Sequence, residues 1–373
     1  MSVQESLPIA TQARNFSQRL EDLHVSLRED LAHIDRVAVA LYAPATNTLR
    51  TFAHSTFGAA PLWHHEARLD EVPSLLELAR TRSPRLLQDL AVFADRATRH
   101  SRYLLEQGFH ASYTEPIFED DQLMGFVFVN TRHPKGFGVD TMPYLMLVTR
   151  IVSLMLRAEV DSVRMLVTSL EATKEITSLR DRETGEHLAR IGEFSRLMCV
   201  ALGDELGLDD EYCALVGRLS PLHDIGKIAI PDSILTKPGP LSREEMDVMK
   251  THASRGALIV DRFFSSPRYD SLERPLQILR NIVLHHHEAW DGTGYPVGLA
   301  GEAIPLEARI VRIVDVYDAL THRRRYKDKW THAATVDYLR EYSGSYFDPR
   351  CIAAFLRIED VFTRAAALAG EEA

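Results

Sequence analysis

The stretch Leu222-His223-Asp224-Ile225-Gly226-Lys227 decides how this chain is read. It sets an imidazole directly beside a carboxylate. On a regular α-helix, adjacent side chains point about 100° apart because a turn takes ~3.6 residues. Such a pair serves one metal ion only where the helix end distorts; otherwise the carboxylate bridges two ions. Alone the pair says little, so its meaning depends on what accompanies it.

Four further segments carry candidate ligands. Glu183 and His187 are four residues apart, which places them on one face of a helix. His252 follows Met249-Lys250-Thr251 within a long helix. His285-His286-His287-Glu288 forms a cluster. Asp315 sits between Val314 and Val316 in an apolar helix over 309–320, where an unpaired carboxylate costs several kcal/mol. Glu183, His187, His223, Asp224, His252, His286, His287 and Asp315 make eight candidate ligands, more than one tetrahedral ion needs, so two or three ions are expected. The mix of imidazole and carboxylate suits iron, manganese or zinc. With no thiolate in the set, a structural zinc site is disfavoured.

The rest of the chain bounds this reading. Its 373 residues suggest two or three domains, and the apolar (45%) and charged (26%) shares are ordinary for a globular protein. Three scattered cysteines (Cys199, Cys213, Cys351) argue against a disulfide framework and fit a reducing compartment. The net charge of −10, without a basic patch, gives no nucleic-acid footprint. The most apolar run, Tyr144 to Leu156, is broken by Arg150 and falls short of a bilayer span. With no apolar signal region at the N-terminus, a cytoplasmic protein without membrane contact is expected.

In chain order, Phe16, Leu20, Leu23, Leu27 and Leu31 give a helix over 16–33. Val37, Val39 and Leu41 alternate, and the turn-rich APATN after them predicts a hairpin. A short helix follows over 72–82, closed by Ser83-Pro84. Residues 111–132 read as two strands around Glu119-Asp120-Asp121. A long helix starts near Pro143 and runs over 141–178. Within it Val160, Val163, Val167 and Leu170 follow 3-4-3 spacing, consistent either with packing on the helix's own domain or with pairing to a second protomer. Beyond residue 180 the chain reads as almost entirely helical. Ser242 and Glu245 form a capping box, and a Gly/Pro-rich loop over 291–305 parts two apolar helices.

Residues 15–158, above all EPIFEDDQLMGFVFVN and the long exit helix, resemble a GAF domain. The resemblance implies a ligand-sensing or dimerising α+β module. The runs LHDIGKIAIPDSILTKPGPLSREEMDVMKTH and HHEAWDGTGYPVGLAGEAIPLEARIVRIVDVYDAL resemble the HD-GYP subgroup of the HD phosphohydrolases, with Gly294-Tyr295-Pro296 intact. The expected architecture is a GAF-like sensor at 1–158, a helical linker at 159–180 and an all-α HD-GYP domain at 181–373.

The second resemblance implies a metal-dependent phosphodiesterase that linearises cyclic di-GMP to pGpG and in some members continues to GMP. It maps the eight ligands above onto the family's set, with Asp224 bridging two ions. Glu183 implies a third ion, iron favoured and manganese the alternative. Lys227, four residues beyond His223, would orient the phosphate. Arg324 and Lys327 would hold the second phosphate or a guanine, and Asp318, three residues after Asp315 on the same helix face, would contact a base or orient a ligand. His285 is an extra, near the ligands or at the surface. Arg325 replaces the family's usual proline. The partners implied are cyclic di-GMP, a second copy through the GAF-like domain and linker, and diguanylate cyclase domains. Alternatives are an HD hydrolase for another cyclic dinucleotide or nucleotide, and a non-catalytic cyclic di-GMP signalling module.

Overall fold

The computed structural model describes residues 15–58, 64–92, 99–178, 185–264, 272–321 and 330–370. The chain divides into two compact units, Met1–Val160 and Asp161–Ala373.

The first unit opens with helix α1 (Phe16–Asp30), whose start is fixed by a reciprocal capping box between Asn15 and Gln18. Strands β1 (Arg36–Ala43), β2 (Thr48–Thr56), β3 (Glu66–Arg68), β4 (Arg85–Leu87), β5 (Ala111–Glu119) and β6 (Gln122–Thr131) form one antiparallel sheet in the order β3-β2-β1-β6-β5-β4. Helices α2 (Pro73–Thr81) and α3 (Arg99–Glu106) lie between strands in sequence. The turns are where the sequence placed them: Asn47 and Asp120 take positive φ at the two hairpin ends, a conformation short polar side chains tolerate.

The alternation read in β1 implied one solvated face, yet Arg36, Val37, Ala38 and Val39 are all buried. Both faces are covered. α1 packs on one, with Phe16 5.2 Å from Phe52 and His24 2.8 Å from Ser55. Ala38, Leu49, Leu69, Leu75, Leu78 and Phe128 form a separate core on the other. The short strands β3 and β4 carry little pattern and are legible only in the structure.

Helix α4 (Met142–Ser178) is continuous across the division between the units. Of the two readings of its 3-4-3 spacing, Val163 and Leu170 follow the first: they are buried in the second unit's own core, with Val167 packed against it. That face is not open to a second protomer.

The second unit continues with α5 (Gly185–Leu206), α6 (Asp210–Leu219), α7 (Asp232–Leu235), α8 (Arg243–Phe264), α9 (Glu273–His285), α10 (Leu306–Thr321), α11 (His332–Glu341) and α12 (Pro349–Gly370). Ser242 and Glu245 cap α8 reciprocally, at 3.2 and 2.7 Å. Phe194 of α5, Tyr317 of α10 and Phe355 and Phe362 of α12 form an aromatic cluster with centroids 4.1–6.1 Å apart. It locks α5 to α10, the two helices that carry His187 and Asp315. Cys199, Cys213 and Cys351 are buried free thiols.

Candidate metal centre

The His223-Asp224 pair does not lie within an α-helix. It sits between two short 3-10 segments, Ser220–Leu222 and Ile225–Ala229. This irregular backbone is the distortion that lets adjacent side chains face one site. Gly226 makes the approach of α8 feasible: a Cβ there would overlap the carbonyl of His252 and the backbone of Gly256. Two backbones touching at glycine bring Asp224 and His252 together.

Two groups of ligand atoms result, each with its members within 4.8 Å of one another: Asp224, His252, His286 and His287, and His187, His223 and Asp315. Asp224 joins them. Its Oδ1 is 3.2 Å from His252 Nε2 and 3.7 Å from His286 Nε2, while Oδ2 is 3.3 Å from His223 Nε2 and 2.9 Å from Lys227 Nζ. One carboxylate thus turns an oxygen toward each group.

The outer contacts fix the tautomers. His223 Nδ1 is 3.0 Å from the Ser220 carbonyl, His252 Nδ1 2.9 Å from that of Met249, and His286 Nδ1 3.0 Å from that of Ile282. A carbonyl oxygen only accepts, so each Nδ1 carries the hydrogen and each neutral ring turns a lone pair on Nε2 inward. His252 and His286 aim these nitrogens at each other across 3.4 Å. Two lone pairs repel at that distance; a cation between or beside them removes the conflict. The donor set therefore fits divalent metal.

Burial sustains the neutral rings. It pushes His286 below the usual imidazole range, aided by His223, and pushes His287 well below it, aided by His286. Burial would raise Asp224, but the Lys227 ammonium 2.9 Å away works against it and the carboxyl is held well below the usual range. Arg312 adds positive charge near His287 and Asp315.

Asp318, read as a substrate contact or ligand-orienting group, has the geometry of the second. It is buried, accepts from His187 Nδ1 at 2.6 Å, and is paired with Arg190 Nε at 2.5 Å. Both oxygens are engaged, so it does not face substrate. Arg190 was invisible to the sequence reading, because its role needs the α5–α10 contact. The role of Glu288, read only as part of the histidine cluster, also escaped it: this buried carboxylate accepts the backbone N–H groups of Val297, Gly298 and Leu299 at 2.9–3.1 Å and shapes the loop after Gly294-Tyr295-Pro296. Tyr295 stacks on His287 at 4.7 Å. His285 is buried rather than at the surface, 3.6 Å from Glu288. Glu183, Arg324, Arg325 and Lys327 lie outside the described residues.

Residues 170–351 match the HD domain family. With the Gly294-Tyr295-Pro296 loop in place, the helical unit is similar to HD domains of the HD-GYP type, and it is preceded by an α+β domain built on a six-stranded antiparallel sheet. Among particular relatives, the chain is 44% identical over 219 residues to the cyclic di-GMP phosphodiesterase response regulator RpfG of Xanthomonas campestris, covering 55% of this chain and 56% of that protein. It is 41% identical to a cyclic di-GMP phosphodiesterase of Vibrio cholerae (54% and 40% covered) and 37% identical to the 3'3'-cGAMP-specific phosphodiesterase 2 of that organism (54% and 38% covered). The chain spans about half the length of the curated relatives it matches. Among solved structures it is similar to the GAF domain/HD domain protein of Geobacter sulfurreducens, 21% identical over 38% of this chain and 91% of that one, with a TM-score of 0.31. Among the described residues, no helix is long and apolar enough to cross a membrane.

Proposed function

We propose that the helical unit is a metal-dependent phosphodiesterase that opens cyclic di-GMP to pGpG, with the end product, pGpG or GMP, read from the assay below. The observation that carries this reading is Asp224, with one oxygen toward His252 and His286 and the other toward His223. That arrangement suits a carboxylate shared between two cations. His252, His286 and His287 would hold one ion with it; His187, His223 and Asp315 would hold the second. Glu183 would add a third, iron in preference to manganese. Bound there, the ions supply Lewis acidity toward a phosphate and lower the pKa of water.

The chain's own groups do the rest. The Nδ1 contacts hold four imidazoles in fixed orientations. Lys227, partly exposed beside Asp224, presents a positive charge to a non-bridging phosphate oxygen. Arg324 and Lys327 would grip the second phosphate or a guanine. The GAF-like domain would regulate turnover. A homodimer along α4 would use Tyr144, Leu147 and Leu154, which are 46%, 58% and 64% exposed and spaced three and seven apart.

Relatives named for cyclic di-GMP and for 3'3'-cGAMP both match, so the substrate is decided by a panel. Anaerobically purified full-length protein is given cyclic di-GMP, 3'3'-cGAMP, pGpG and ppGpp, and products are separated by chromatography. Cyclic di-GMP turned over fastest supports the reading. Faster 3'3'-cGAMP opening moves the substrate, and ppGpp as the sole substrate overturns the cyclic-dinucleotide assignment.

A further inference from the structure

Beside the metal ligands, Arg312 has no role in holding them. It lies one turn before Asp315 on α10, three residues away and so on the same helix face. Its charge acts on His287 and Tyr295. The segment next to it is fixed to the ligand loop. Trp290 and Asp291, just after His287, donate their backbone N–H groups to the carbonyls of Tyr346 and Ser345 at 3.3 and 2.8 Å.

Arg312 is half-buried, and burial lowers its pKa. Its Nε donates to the Tyr346 carbonyl at 3.1 Å, its one hydrogen bond among the described residues. The guanidinium carbon lies 5.9 Å from the Tyr346 ring centre and 5.8 Å from that of Phe347. Among the described residues no carboxylate pairs with it; Asp291, nearby, accepts from Thr293 instead. A desolvated cation without a counter-charge costs stability, the more so beside a donor set that fits further cations.

The surroundings suit a base better than a phosphate. Lys227, beside Asp224, is already placed for a phosphate oxygen. Tyr346 is 38% exposed, and its ring stacks on Tyr342 at 4.9 Å with 5° between the planes. An exposed aromatic ring beside an arginine is a common surface for a flat base. With Nε anchored, Nη1 and Nη2 remain as a planar pair of donors. Guanine offers two acceptors, O6 and N7, to such a pair; adenine offers N7 and a donor amino group.

We propose that Arg312 recognises one guanine of the substrate through O6 and N7. The inference rests on the cyclic-dinucleotide reading above and deepens it, since Arg312 then selects guanine over adenine at one end of the molecule.

The test is calorimetric titration of the anaerobically purified full chain with GMP, IMP and AMP. IMP shares O6 and N7 with GMP but lacks its 2-amino group. Wild type is expected to bind GMP and IMP alike, at least about tenfold more tightly than AMP. Arg312→Met is expected to bind all three alike, near the wild-type affinity for AMP. Arg312→Lys keeps the charge but cannot span O6 and N7, so it is expected to lose the preference too; it decides the matter if Arg312→Met does not fold. Equal wild-type affinity for GMP and AMP, IMP bound like AMP, or a preference that survives both substitutions would each overturn the proposal. So would a parallel fall of all three nucleotides in Arg312→Met, the result of a phosphate contact or a disturbed metal centre. If wild type opens cyclic di-GMP yet shows no preference, the base contact alone fails. If it binds none of the three and opens no cyclic dinucleotide, the phosphodiesterase reading fails with it.

Discussion

Replacing Asp318 with asparagine separates the centre's outer support from its ligands. The carboxylate takes a hydrogen from His187 Nδ1 at 2.6 Å and pairs with Arg190 Nε and Nη2 at 2.5 and 3.2 Å. An amide of the same shape offers one oxygen and one NH₂ group. One partner keeps its acceptor while the other meets a donor, and the mostly buried Arg190 loses its counter-charge. Breaking a buried pair costs ~3–5 kcal/mol. The amide oxygen preserves part of the hydrogen bonding, so the expected loss of unfolding free energy is about 2–4 kcal/mol. His187 also loses the contact that fixes its tautomer, which predicts a ~10–100-fold loss of metal affinity. Urea melts of the metal-stripped full-length protein read the first effect, and chelator competition on the loaded protein reads the second. If Asp318→Asn melts as expected yet holds metal as tightly as wild type, Asp318 is structural only and His187 is not held for a metal.

Three further outcomes follow from the same geometry. Gly226→Ala is expected to destabilise by about 1–3 kcal/mol or more, since its Cβ overlaps the His252 carbonyl, and to lower metal content as Asp224 and His252 part; thermal melts and metal analysis check it. Glu288→Gln is expected to cost about 1–3 kcal/mol, because an amide cannot accept all three loop N–H groups, while the number of ions per chain stays at the wild-type value. His24 and His54 are pulled down to about 4, chiefly by burial, so the unfolded chain binds their protons first. Their contribution is complete above pH ~6.5 and falls away toward pH 4, by up to ~3 kcal/mol each; NMR titration, assigned with His24→Gln and His54→Gln, would refute this if both rings titrate near 6.5.

Much of this was legible in the residues because it is local. The 3.6-residue periodicity read over 16–33, the capping box at Ser242 and the turn at Asp120 each lie within a few positions; the structure has the last two where expected and ends the helix at Asp30, three residues early. The metal-ligand candidates could be picked because histidine and aspartate in apolar surroundings need partners, as Asp315 does between two valines. What escaped depends on contacts between distant segments. Arg190 reads as an ordinary surface arginine until α10 brings Asp318 to it. Glu288 reads as one more acid in a histidine run until three backbone N–H groups of a later loop converge on it. Arg36 reads as a strand-edge charge until β6 and β5 bury it. The spacing of Val163 and Leu170 marked an apolar face of α4 without naming its cover, and the second unit's own core supplies that cover.

The most direct measurement is metal content per chain on anaerobically purified full-length protein, taken with cyclic di-GMP turnover on the same sample and on Asp224→Ala. Two or more ions per chain with linear product in wild type, and loss of both in Asp224→Ala, is the predicted result. Full turnover by Asp224→Ala, or by wild type stripped of its ions, would contradict the shared-carboxylate site.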